Sequence, residues 1–148
     1  WILKSFPEIK CVCHTHPTNT NKILCSGDII DFASKRLFPD QVVRNGIKSC
    51  VVPYATPGIL LREEIKKSVL EFIVDNGFFP KLILLKNHGI ITASTSVQEA
   101  IVSTLMCEKS AEIFIGAKML NNIQFLTQDE IDAVNTHPSE KYRRSLIQ

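Results

Sequence analysis

The chain has 148 residues, 45% hydrophobic and 22% charged, which fits one soluble globular domain over residues 1–148 that can bury a core. Its 17 basic and 15 acidic side chains leave a formal charge of +2 and, apart from the Lys66-Lys67 and Arg143-Arg144 pairs, the basic residues are dispersed; no nucleic-acid stripe is expected. The longest apolar stretch, bounded by Lys81 and Lys86, falls far short of the ~20 residues that span a bilayer, so no membrane partner is expected either.

Trp1-Ile2-Leu3-Lys4-Ser5 has neither an initiator Met nor the order of a signal peptide, so the chain reads as the middle of a longer protein. The five cysteines, Cys11, Cys13, Cys25, Cys50 and Cys107, form no CxxC pair, and a reduced, cytoplasmic compartment is expected. Residues 9–15, rich in β-branched and apolar side chains after Pro7, predict a buried strand with Cys11 and Cys13 on one face. Residues 19–25 and 29–37 predict helices, interrupted by Ser26-Gly27-Asp28. Phe38-Pro39-Asp40-Gln41 breaks the second helix, Asn45-Gly46 marks a turn, and residues 49–54 predict a strand with Tyr54 as a core aromatic.

After Pro57-Gly58, apolar residues from Leu60 to Ile73 recur at near-helical spacing until Asn76-Gly77 stops them, which predicts an amphipathic helix. Residues 82–86 suit a central strand, and residues 90–93 a second strand entered by a tight bend at Gly89. Ser96-Val97-Gln98-Glu99 has the form of a capping box and opens a helix to about Leu120; Thr127-Gln128-Asp129-Glu130 repeats the signature. Residues 122–148 are expected to hold this terminal helix and a loosely held tail.

His14 and His16 stand two apart, so a strand projects both imidazoles from one side. A catalytic zinc site uses three protein ligands and leaves a position for water or substrate, so a third must come from elsewhere. His88, at the end of an apolar strand and before Gly89, is the better candidate than His137, which sits in a polar tail. Two strand-end histidines that merely meet a loop are the alternative.

Three motifs follow in order: His14-Thr15-His16-Pro17, Val52-Pro53-Tyr54-Ala55-Thr56-Pro57-Gly58, and Leu84-Leu85-Lys86-Asn87-His88-Gly89-Ile90-Ile91. Together they resemble the class II aldolase and adducin head-domain family, over Trp1 to about Leu120. The resemblance implies an α/β fold with a central, mainly antiparallel sheet flanked by helices, and Zn2+ on His14, His16 and His88. It also implies a lyase cleaving a ketose phosphate through a metal-stabilised enediolate, working as a homotetramer. Zinc as a Lewis acid would stabilise charge on the substrate's carbonyl oxygen.

The family's aldolases carry a Glu base and a phosphate site before the H-x-H strand, and this chain is expected to lack that N-terminal part of the domain. Glu8 lies six extended residues before His14, roughly 20 Å away at ~3.3 Å per residue, and reads as a turn residue after Pro7. Asp40 is the candidate proton shuttle within the chain; a turn former is the plainer role for an Asp after Pro. Epimerisation and dehydration of a sugar phosphate share the metal chemistry and stay open. So does a non-catalytic, adducin-like assembly domain, although such domains are expected to lose the ligands that this chain keeps.

Overall fold

The computed structural model describes residues 1–139 as helices packed on both faces of a four-stranded sheet. In chain order the elements are α1 (Ile2–Ser5), β1 (Cys11–Thr15), α2 (Thr18–Leu24), α3 (Ile29–Ser34) and α4 (Pro39–Asn45). There follow β2 (Cys50–Val52), α5 (Ile59–Asn76), β3 (Leu82–Leu85), β4 (Gly89–Ser94), α6 (Val97–Met119) and α7 (Gln128–Thr136). The strand order is β1-β4-β3-β2, with β1/β4 and β3/β4 antiparallel and β2/β3 parallel. This is the mainly antiparallel α/β sheet that the motifs implied.

Alternation along the inner strands divides the core in two. Leu82 and Leu84 of β3 and Ile90 of β4 pack with Ile23 and Leu24 of α2, Phe32 of α3, and Cys107, Ala111 and Phe114 of α6. Ile83, Leu85, Ile91 and Ala93 point the other way, onto Ile2, Ile9, Val52 and Val69. Each fully buried Leu or Ile contributes ~1.5–3 kcal/mol, so the unbroken apolar run in β3 reflects cover on both faces. Thr92, on the α6 side of β4, is fully buried; its hydroxyl donates to the Ala100 carbonyl and lies within hydrogen-bond distance of Thr104 Oγ1.

Two readings of the sequence change. Pro39 does not only break a helix: it opens α4 at the first position, where the missing N–H costs nothing, after an extended Phe38. The preceding helix stops at Ser34 because the buried Arg36 folds back, donating from Nη1 to the carbonyls of Phe32, Ala33 and Lys35. Its Nε reaches the Gly46 carbonyl and Nη2 reaches Ser49 Oγ, so Arg36 ties the end of α3 to the loop before β2. Burial lowers its pKa to about 10, only partly opposed by Cys107. The second change is in α5, where Ile65, Val69, Phe72 and Ile73 cover the sheet while Leu60 and Leu70 face outward.

Ser96 caps α6 by accepting from the Glu99 N–H, and the Glu99 carboxylate accepts from Thr95 and pairs with Lys81 at 3.1 Å. Thr127 and Glu130 form the complete reciprocal box at the start of α7. The tail expected after that helix falls mostly on residues 140–148, outside the described residues.

Candidate metal centre

β1 pairs with β4 so that His14 stands opposite Ile91 and Thr15 opposite Ile90. Alternation then sends Val12 and His14 to the same face, and His16 follows just past the strand end. His88 comes from the turn between β3 and β4, where Asn87 adopts a left-handed φ of 55° and the His88 N–H donates to the Leu85 carbonyl at 3.1 Å. Asn is among the residues that tolerate this conformation best. The pairing of β1 with β4 therefore brings together histidines more than seventy positions apart in the chain.

One ligand nitrogen from each of His14, His16 and His88 lies within 4.8 Å of the others. The ring centroids are 4.7 Å apart for His14 and His16, 5.0 Å for His14 and His88, and 5.2 Å for His16 and His88. His14 Nδ1 is 2.8 Å from the Ile90 carbonyl, which can only accept; Nδ1 therefore carries a hydrogen, and Nε2 is the nitrogen left to face a metal. The His88 pKa is lowered by burial, then by the neighbouring His14 and His16, which favours the neutral form that binds metal.

Gly89 makes room for this arrangement. A Cβ there would stand 2.4 Å from His16 Cδ2 and 2.6 Å from the Thr15 carbonyl oxygen, so the His16 ring lies where any side chain at position 89 would have to go. Three imidazoles with no carboxylate among the converging atoms suit a borderline divalent transition metal better than calcium or magnesium. Three protein ligands also leave a coordination position open.

Two supporting residues escape a reading of the sequence. Asn21, on α2, donates from Nδ2 to the His88 carbonyl at 3.2 Å. Glu108, on α6, accepts from the Asn19 and Thr20 amides, each at 2.9 Å, and from Thr20 Oγ1 at 3.0 Å. Both act across long stretches of chain, where local patterns carry no signal.

None of the other candidates is one of the three converging imidazoles. Asp40 is exposed in the first turn of α4, a helix whose main packing partners are α6 and α7. Tyr54 is 59% exposed, in the loop between β2 and α5, and does not join the core as expected. His137 ends α7 on the surface, with Nδ1 2.7 Å from Ser139 Oγ. Glu8 sits in a turn and lines a cleft with Lys81, Thr95 and Glu99, at the end of the sheet away from the histidines.

The family model of the class II aldolase and adducin N-terminal domain matches residues 1–115. A 3-oxo-tetronate 4-phosphate decarboxylase of Haemophilus influenzae is 27% identical over 129 residues, which make up 86% of this chain and 57% of that protein. Among solved structures, Escherichia coli YgbL superposes with a TM-score of 0.74 at 24% identity, covering 91% of this chain and 61% of that one. An L-fuculose 1-phosphate aldolase superposes with a TM-score of 0.73 at 19% identity, covering 96% and 59%. At these identities the two structures speak for the fold, and the chain spans a little over half the length of the curated relatives it matches. Matched by its family model over residues 1–115, the chain belongs to the class II aldolase and adducin N-terminal domain family.

Proposed function

We propose that this protein is a zinc-dependent lyase that breaks a carbon–carbon bond in a phosphorylated keto sugar, with His14, His16 and His88 as the metal ligands. The observation that carries the proposal is the convergence of three imidazole nitrogens within 4.8 Å. Zinc bound there would supply a Lewis acid for the negative charge that grows on a substrate carbonyl oxygen as the neighbouring bond breaks. The chain's own part is to aim the imidazoles: the Ile90 carbonyl orients the His14 ring through Nδ1, and Gly89 leaves the His16 ring its place. Asp40 is the proposed proton shuttle of this chain.

Aldol cleavage of a ketose phosphate is the first form of this reading. Decarboxylation is the second, and the names of the curated relatives favour it. The two are close chemically: retro-aldol cleavage and loss of CO2 from a 3-oxo acid both leave an electron pair on the carbon beside a carbonyl. A metal that polarises that carbonyl serves either. Retention of all three ligands argues against a purely structural, adducin-like role. We further propose a cytoplasmic homotetramer; the compartment is inferred from an odd number of cysteines with no CxxC pair.

The test begins with elemental analysis of protein purified without chelator, where about one zinc per chain is expected. The protein is then offered a ketose 1-phosphate and a 3-oxo sugar acid phosphate, with and without chelator, while aldehyde and CO2 release are followed. Chelator-sensitive turnover of one of them supports the lyase and names its form. Stoichiometric zinc with no turnover of either by the full-length protein, N-terminal part of the domain included, would favour the assembly role. Asp40→Asn with unchanged kcat removes Asp40 as the shuttle, and light scattering that finds a monomer at micromolar concentration removes the tetramer.

A further inference from the structure

We infer that Glu108 is a positioning residue for the metal centre: by capping α2 from α6, it holds the segment that carries His16 and braces the turn that carries His88. The inference rests on the metal-centre reading above and adds a remote control point to it.

α2 begins directly after His16 and Pro17, so its first turn fixes where the His16 backbone leaves the strand. The first amides of a helix need acceptors, which a Ser, Thr, Asp or Asn at the N-cap ordinarily supplies. Here the N-cap is Pro17, which has no acceptor in its side chain, and no local cap is made. Glu108 takes over the task from 88 and 89 positions away, with one carboxylate oxygen on the Asn19 amide and the other on the Thr20 amide and hydroxyl. Burial alone pushes the Glu108 carboxyl up, but these bonds outweigh it and hold the group below its ordinary range, so it stays ionised.

Further along, the same short helix grips the other ligand-bearing segment twice. Asn21 Nδ2 donates to the His88 carbonyl, and the Leu24 carbonyl accepts from the Asn87 N–H at 3.1 Å. α2 is thus a splint: one end is next to His16, its flank holds the turn of His88, and Glu108 locks it to α6. A shift of α2 would change the His16 to His88 separation directly. His14 is held independently by β1 and the Ile90 carbonyl.

The experiment is Co2+ titration of the purified protein, reading both Kd and the intensity of the visible d–d bands, which reports coordination geometry. Glu108→Ala is expected to weaken Kd by ~10–100-fold, the usual range for outer-shell partners, and to alter the bands. Glu108→Gln, which keeps an acceptor but not both carboxylate oxygens, should lose less. The decisive variant is Glu108→Ala with Pro17→Ser. The extended backbone of position 17 suits an N-cap, so a serine there restores a local acceptor and should recover much of the lost affinity.

Thr127→Ala, which removes the cap of the distant α7, should lower the melting temperature and leave Kd and spectrum unchanged. If Glu108→Ala fails to fold, Glu108→Gln with and without Pro17→Ser carries the same comparison. Wild-type binding with an unchanged Kd in the Glu108 variants overturns this inference alone, and so does failure of Pro17→Ser to restore affinity. No Co2+ spectrum in the wild-type protein overturns the metal reading and takes the inference with it.

Discussion

The starts of α2 and α7 solve the same problem in opposite ways. At α7, Thr127 Oγ1 accepts from the Glu130 N–H, and the Glu130 carboxylate accepts from the Thr127 N–H at 2.7 Å, all within four residues. At α2, the acceptor is a carboxylate from another helix. A local cap stabilises its own helix by ~1 kcal/mol and would do so wherever that helix went. A remote cap exists only while two helices keep their relative position, so it converts helix stability into geometry. The protein places the second kind beside the imidazoles and the first kind away from them.

The largest expected effect comes from removing ligands. His14→Ala with His88→Ala should take zinc from about one equivalent to none by elemental analysis, whereas His137→Ala, at the α7 end, should leave it intact. Retained zinc in the double variant would sink the site assignment. Next is Gly89→Ala: its Cβ meets backbone at 2.6 Å as well as the His16 ring, so something must move. A stability loss of ~1–3 kcal/mol, seen in the urea midpoint, is expected together with weaker metal binding. Loss of stability at unchanged metal affinity would show that the ring can move aside and still bind.

Capping variants come third. Thr127→Ala should cost ~1 kcal/mol of unfolding free energy and nothing in zinc content. Any change in zinc there would erase the distinction between the two helix starts. The smallest effect concerns acid. The folded-state pKa of Glu108 is depressed, so its contribution to stability is fully present above the unfolded value of ~4.3 and is lost as pH falls through the lower folded value. Urea midpoints measured on metal-free protein from pH 6 downward should fall below about pH 4, and Glu108→Gln should flatten that fall. An identical slope in the variant would show that other carboxylates control acid stability.

The parts of the fold legible in the sequence are those decided locally. The i, i+2 spacing of His14 and His16, the apolar run of β3, the tight turn just ahead of Gly89 and the Thr127 box each follow from a few neighbouring residues. The start of α4 was hidden because the proline that stops one helix is also favoured at the first position of the next. Arg36 and Glu108 were illegible for a different reason: their partners are backbone groups whose positions depend on the folded chain. A charged side chain gives no sign in sequence that it will bind amides or carbonyls. Tyr54 was misplaced because the loop after β2 turns outward, which an aromatic at a strand end does not reveal.

The pairing of β1 with β4 has a consequence for the order of events in folding. His14 and Ile91 meet across 77 positions of chain, so the site closes only after one of the most non-local contacts in the molecule has formed. Before that, His88 is not beside the His14 and His16 pair, and the three-imidazole site does not exist. A cation would therefore bind late, leaving the folding rate almost untouched and slowing unfolding instead. Metal supplied during refolding would act as a latch on the finished structure, and not as a seed for it.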